Sequence, residues 1–390
     1  MTLRRIFDRV LDVLPALIAL FAGLVVASIL LIALNANPLD AFQSMWKGAF
    51  GTENATAETL VKAIPMLFVA IGICIAFRGG VTNIGGEGQM IAGALVGVAV
   101  ALWLGATALA GWLIIVLSLA AGFVAGALYA GIAGVLKAYF NVNEILSTIM
   151  LNQIAVQMMN FLLNGPLLDP AEAGANHIPK TARIVEWAEL PRLSFPISEG
   201  VDIFARTRLH WGLIIAVILA IVVYVLLWRT TIGYRIRAVG ANDRAARYAG
   251  IRDKRQIVLA MLLAGGCAGL AGVVQVLGLG YRLQTDGSAS GFTAGAGFNG
   301  IVVALFGGLN PIGALPASVF FGGLLVGAQK MQRDLGVPAA LITAINGLIV
   351  VFVVSSQIFV TWRARRRASA APPTPESAPP QVAPRLEVQS

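Results

Sequence analysis

Runs of about 20 predominantly apolar residues recur along nearly the whole chain, and that is the length an α-helix needs to cross the hydrocarbon core of a bilayer. They fall near 13–34, 60–77, 88–106, 112–137, 144–163, 211–228, 256–279, 298–309, 312–330 and 339–361. Backbone in hydrocarbon must satisfy its own N–H and C=O groups, so only helices and closed barrels can span. A barrel would show alternating segments of roughly 10 residues, whereas these runs are continuous and rich in Leu, Ala, Val and Gly. The sequence therefore predicts an all-α, polytopic bundle of about ten transmembrane helices. Composition excludes a soluble protein: 58% of the residues are hydrophobic and 12% charged, against roughly 25% charged in soluble domains.

Two places interrupt this regularity. The stretch 79–90 (GGVTNIGGEGQM) is Gly-rich and polar at membrane depth, which predicts a broken or re-entrant segment packed against protein rather than lipid. The run 298–309 is short for a span and either forms half of a discontinuous helix or continues into its neighbour across Asn310-Pro311. Residues 1–362 form the expected transmembrane domain. The Pro/Ala/Ser-rich stretch 363–390 is expected to be a disordered cytoplasmic tail.

The net charge of +9 reports orientation rather than nucleic-acid binding, because the basic residues sit in short blocks beside apolar spans, facing anionic lipid. Residues 229–255 hold eight Lys/Arg, whereas the longer stretch 166–210 holds five. The first is therefore expected inside and the second outside, together with 35–59. With Arg4, Arg5 and Arg9 inside, ten crossings return Arg363, Arg365, Arg366 and Arg367 to the same side. The run from Leu14 to Leu34 is too long for a signal-peptide core and is expected to be the first span of a cell (inner) membrane protein with both termini cytoplasmic.

Signatures of catalysis are missing from the sequence. No G-x-x-x-x-G-K-[ST] loop is present to cradle nucleotide phosphates, and no H-E-x-x-H or paired-Cys motif. His177 and His210 are 33 residues apart in the outer stretch, short of the three or four converging ligands a metal needs. Cys74 and Cys267 lie inside apolar runs and are expected to behave as small buried hydrophobes without a disulfide. The chain is thus expected to be no enzyme, with no cofactor or metal of its own.

Some polar residues stand out against the apolar background. Glu87 and Glu144 are the acids nearest membrane depth, where charge is costly and usually lines a cavity or is paired. Glu144 is equally a first-turn acid behind an Asn143 cap. Thr148 and Asn152 follow it at i+4 and i+8, drawing a polar stripe along one helix face; interhelical bonding and solute contact explain that stripe equally well. Gly122/Gly126 and Gly265/Gly269 read as close helix packing. In G-A-G-F-N-G, Phe298 and Asn299 place a ring and an amide beside the short run 298–309, suited to stacking on a base or sugar or to packing. In the basic loop, Asn242 or Asp243 can cap a short helix through Ala245-Ala246, and Gly250 can end it in the left-handed conformation. A basic loop lying on anionic lipid through Arg244, Arg247 and Arg252 is the alternative.

The loop pattern Thr231, Gly233, Arg237-Ala238, Gly240, Asn242, Ala245-Ala246, Gly250-Ile251 resembles the coupling loop of permease subunits in the branched-chain amino acid, ribose and nucleoside family of ABC importers. G-V-T-N-I-G-G-E-G-Q-M at 80–90 and G-A-G-F-N-G-I-V-V-A-L-F-G-G-L-N-P-I-G at 295–313 are similar to that family too, and N-E-I-L-S-T-I-M-L-N at 143–152 looks like its nucleoside/simple-sugar branch. This resemblance implies a transmembrane subunit that binds no ATP itself. Its implied partners are a cytoplasmic ATPase, a second permease subunit in a heterodimer, an extracytoplasmic solute-binding protein and membrane lipid, with a nucleoside or simple sugar as solute. It makes Gly240, Asn242, Ala245, Ala246 and Gly250 the ATPase-coupling candidates. Asn83, Glu87, Gln89, Glu144, Thr148, Asn152, Phe298 and Asn299 become the solute-path candidates. An ion-coupled secondary transporter using Glu87 or Glu144 is the competing class.

Overall fold

The computed structural model describes residues 21–33, 36–172, 178–198 and 201–338, with isolated positions 344, 347, 348 and 351 beyond them. Among the described residues thirteen α-helices are delimited: α1 (Phe21–Ala33), α2 (Pro38–Phe50), α3 (Glu53–Arg78), α4 (Gly86–Gly105), α5 (Gly111–Phe140), α6 (Glu144–Leu163), α7 (Gly212–Arg229), α8 (Thr231–Ala241), α9 (Asp243–Tyr248), α10 (Asp253–Gln275), α11 (Ala289–Thr293), α12 (Ala296–Phe306) and α13 (Pro311–Leu335). A short antiparallel hairpin, β1 (Phe195–Ser198) and β2 (Val201–Ile203), lies in the long segment between α6 and α7.

Among the described residues seven helices are long and apolar enough to cross a membrane, or eight if the bent pair α1–α2 is one span. The sequence predicted ten. One difference is α12: its 11 residues rise roughly 16 Å, about half of the hydrocarbon thickness. It does not merge with its neighbour, because Asn310 caps α13 by accepting from Ile312 N–H and Pro311 occupies the first turn. Most of the span expected over 339–361, the start of the first span, His177 and the tail 363–390 lie outside the described residues. The stretch 35–59, expected outside, holds α2, turned 117° from α1, capped by Asn37 and begun by Pro38. In 79–90 irregular backbone occupies only 79–85, and Gly86–Met90 already belong to α4.

The core forms around α3, which is buried almost throughout its length and packs on α10, α12 and α13, with α4 and α5 packed in turn on α10. Small residues set the closeness of this packing. A Cβ built on Gly93 would lie 2.4 Å from the Gly269 Cα, and one on Gly272 would lie 2.0 Å from the Met90 carbonyl oxygen. On α5, a Cβ on Gly126 would come within 2.3 Å of the Gly265 carbonyl oxygen. The glycines of α4, α5 and α10 thus put helix backbones in direct contact, as small residues do in membranes where the hydrophobic effect drives no association. Cys74 on α3 and Cys267 on α10 are free and buried in this packing.

Candidate functional site

The polar residues of the 80–90 motif and of α6 meet. Asn83 and Gln89 bond reciprocally, Asn83 Nδ2 donating to Gln89 Oε1 at 3.0 Å and Gln89 Nε2 donating to Asn83 Oδ1 at 2.8 Å. Asn152 donates through Nδ2 to the Ile84 carbonyl at 3.0 Å and accepts the Gly88 N–H at 2.8 Å. Thr148 donates to the Glu144 carbonyl at 2.7 Å and receives the Ile84 N–H at 3.4 Å. All four side chains are buried, so their groups satisfy the irregular 79–85 backbone and one another, as buried polar groups must. Glu144 occupies the first turn of α6 behind the Asn143 cap and pairs with Lys137 at the end of α5, 2.9 Å away.

Glu87 is 2% exposed and reaches a different element. Its Oε1 accepts the Phe298 N–H at 3.2 Å, in the first turn of α12. A carboxylate there satisfies an orphan helix donor and opposes the positive end of the dipole. The approach needs glycine on both sides: a Cβ on Gly297 would lie 2.4 Å from Glu87 N, and one on Gly86 would lie 3.2 Å from the Gly297 Cα. Phe298 projects outward, 51% exposed, and Asn299 beside it is half-buried.

The basic loop folds as its residues predicted. Asn242 breaks the chain between α8 and α9 and caps α9, its Oδ1 accepting the Ala245 N–H at 3.0 Å. Gly250, at φ +76°, ends the turn where a side chain would be strained, with Ile251 N–H returning to the Ala246 carbonyl at 3.0 Å. Ala246 faces its own chain and is 4% exposed, whereas Tyr248 is 95% exposed and Ala245 is exposed beside it. Gly240, at the end of α8, abuts the irregular connector: a Cβ on Gly80, at φ +75°, would lie 2.9 Å from the Gly240 Cα. Arg78 donates to the Leu309 and Gly308 carbonyls, and Arg78 and Arg237 both stack on Trp228. Loop, connector and the end of α12 are therefore joined at one membrane face.

At the other face, the segment between α6 and α7 is laced to the chain after α10. Thr181 N–H donates to the Leu283 carbonyl and Ile184 N–H to the Tyr281 carbonyl, each at 2.8 Å. Arg208 clasps Glu58 with two bonds of 2.7 and 2.6 Å. His210, just before α7, is buried with its ring between Gly212 and Gly278, and burial pushes its pKa down to about 4. Among the described residues no group of three or more His, Cys, Asp or Glu converges to hold a metal ion.

Sequence reasoning passed over Tyr248, whose exposure no pattern announces, and the contact of Gly80 with Gly240, two glycines in separate motifs. It also passed over Gln153 and Gln157, which α6 presents on its exposed face.

Stacked apolar spans, glycine-set packing and a capped basic loop define a multi-pass helical membrane protein. The chain belongs to the family described as branched-chain amino acid transport system / permease component, whose model matches residues 55–354. It is 33% identical over 348 residues to the glucose ABC transporter permease protein TsgB13 of Haloferax volcanii, covering 89% of this chain and 88% of the relative. It is 35% identical over 350 residues to the guanosine ABC transporter permease protein NupP of Bacillus subtilis, covering 89% and 94%. A second protein of that organism, the guanosine ABC transporter permease protein NupQ, is 31% identical over 271 residues, covering 68% and 78%. No solved structure matches the chain. The protein is accordingly an ABC transporter permease, a transport protein and not an enzyme; membership implies a separate ATPase and a solute-binding protein as partners.

Proposed function

We propose that this permease imports a nucleoside, with simple sugars next, through a path shared with a second, non-identical permease subunit in the inner membrane. Likeness over nearly the full length of a guanosine permease carries the choice of solute. The match to two differently named guanosine permeases of one organism supports a pair of unlike subunits. ATP is bound by the partner ATPase, which docks on α9, where Ala245 and Tyr248 stand exposed among basic residues.

In this reading residues 229–255 and both termini are cytoplasmic, residues 1–362 form the permease domain and 363–390 its cytoplasmic tail. Ten traverses result if α11 and α12 together make one inward pass: the chain leaves the outer segment at 281–288, and the turn after α12 is held by Arg78. Contact of Gly240 with Gly80 gives ATPase closure a direct route to the 79–85 connector and, through Asn152, to α6. Alternating access then repacks α4, α6 and α12 about the path, with Phe298 and Asn299 at its edge.

The test is ATP-driven uptake of labelled guanosine and glucose in vesicles containing the permease pair, ATPase and binding protein. Guanosine uptake that needs ATP and is competed by other nucleosides supports the reading. Uptake driven by an ion gradient without the ATPase would overturn it.

A further inference from the structure

Helix α6 has two unlike faces. One is buried and holds Thr148, Asn152, Ala155, Val156 and Met159 against the rest of the chain. Along the middle of the opposite, exposed arc the residues run Leu146, Met150, Gln153 and Gln157, spaced four, three and four apart, so they share one line on the helix. Gln153 and Gln157 sit in the middle of the span, and neither amide has a partner within the chain among the described residues. Exposed positions at matching depth elsewhere are apolar, as with Val124 and Leu128 on α5 and Ile221 and Val222 on α7, which suits lipid. An amide left in hydrocarbon forfeits its hydrogen bonds, so this arc of α6 needs water or a polar ligand. Towards the far end of the helix, half-buried Asn160 on the flank of this arc accepts the Thr285 hydroxyl at 2.8 Å and donates to the Gly287 carbonyl, and Phe161, four residues after Gln157, is 71% exposed. Towards the other end Leu146 and Met150 are 62% and 61% exposed and purely apolar.

We propose that Gln153 and Gln157 line a water-filled outer vestibule of the solute path, and that Leu146 and Met150 below them form its apolar gate. The facing wall is the second permease subunit. The amides offer donors and acceptors in pairs, complementary to sugar hydroxyls and base edges. After Glu144 no charged residue occurs on α6, so the vestibule selects an uncharged, hydroxyl-bearing solute over an amino acid zwitterion. The assignment rests on the orientation and importer reading given above.

Single cysteines at Gln153, Gln157, Leu146 and Ile221, introduced with Cys74→Ala and Cys267→Ala, test it in the assembled transporter. A membrane-impermeant thiol reagent applied from outside is expected to modify Gln153→Cys and Gln157→Cys at least tenfold faster than Leu146→Cys and Ile221→Cys. Guanosine presented with the binding protein should slow that modification. Gln157→Leu is expected to raise the KM for guanosine uptake at least fivefold while the ATPase still co-purifies, and Gln157→Asn should restore part of the affinity. Modification of Gln157→Cys no faster than Ile221→Cys, or an unchanged KM in both Gln153→Leu and Gln157→Leu, would overturn the vestibule. Labelling of both glutamine positions only from the cytoplasmic side would overturn the orientation beneath it. Thiol accessibility needs no knowledge of the solute, so loss of guanosine uptake by the wild-type assembly would separate a wrong solute from a wrong path.

Discussion

Asn152 accepts the Gly88 N–H at 2.8 Å while its own amide nitrogen donates to the Ile84 carbonyl at 3.0 Å, so one side chain of α6 holds the backbone on both sides of the start of α4. Substituting Asn152→Leu strips both partners and leaves two buried backbone groups unpaired, at about 1–3 kcal/mol each. The thermal midpoint of the purified permease is expected to fall. A solute-contact role would instead leave the midpoint alone and move the KM, so the two measurements together decide.

Glu87 offers a graded test of how α12 is held. Glu87→Gln keeps an acceptor for the Phe298 N–H, whereas Glu87→Ala removes the cap at a cost of about 1 kcal/mol. Uptake and thermal midpoint should therefore fall in the order wild type, Gln, Ala. Equal damage from both substitutions would mean that the charge, and not the hydrogen bond, is what matters.

On α9 two adjacent alanines should behave differently. Ala246 is buried in its own chain, so Ala246→Glu overpacks the loop by about 1–3 kcal/mol and lowers the stability of the isolated permease. Ala245 is exposed, so Ala245→Glu should change that stability by no more than about 0.5 kcal/mol. Ala245→Glu and Tyr248→Ala are each expected to weaken ATPase binding roughly tenfold, about 1.4 kcal/mol, as read by co-purification and ATP-driven uptake. If lipid holds the loop instead, reversing the charges of Arg244 and Arg247 will do more harm than either.

His210 predicts an acid-sensitive fold. Its ring is buried and titrates at about 4 in the folded chain, against about 6.5 when unfolded. Between those values the unfolded state binds the extra proton, so stability falls as pH drops from about 6.5 towards 4 and is flat above that window. Each unit of depression corresponds to about 1.4 kcal/mol. Thermal midpoints of wild type and His210→Gln at about pH 7 and about pH 5 should show a larger acid loss in the wild type.

Spans, the capped α9 and its left-handed Gly250 were legible because each follows from local rules: run length, a side-chain cap, a residue free of Cβ strain. The helix count and α2 were less so, because apolar length does not say whether a run bends at Asn37-Pro38 or stops after 11 residues as α12 does. At the candidate site the sequence supplied the polar residues but not their partners. Asn83 and Gln89 bond each other, and Asn83 also accepts the Gly85 N–H, while Gln153, one residue and about 100° around the helix from buried Asn152, is exposed. The phase of α6 decides between them, and its packing against α4 and α5 fixes that phase.

The glycine contacts among α4, α5 and α10 have a mechanical meaning. Helices whose backbones touch, as at Gly93 with Gly269 and Gly126 with Gly265, have no side-chain layer to shear, so the three move as one stiff strut through the membrane. Helix α10 starts at Asp253, five residues after α9 ends at Tyr248. With the ATPase docked on α9 as proposed, a load from it would reach the foot of the strut and be carried to its far end, where the segment between α6 and α7 donates the Leu190 N–H to the Leu277 carbonyl.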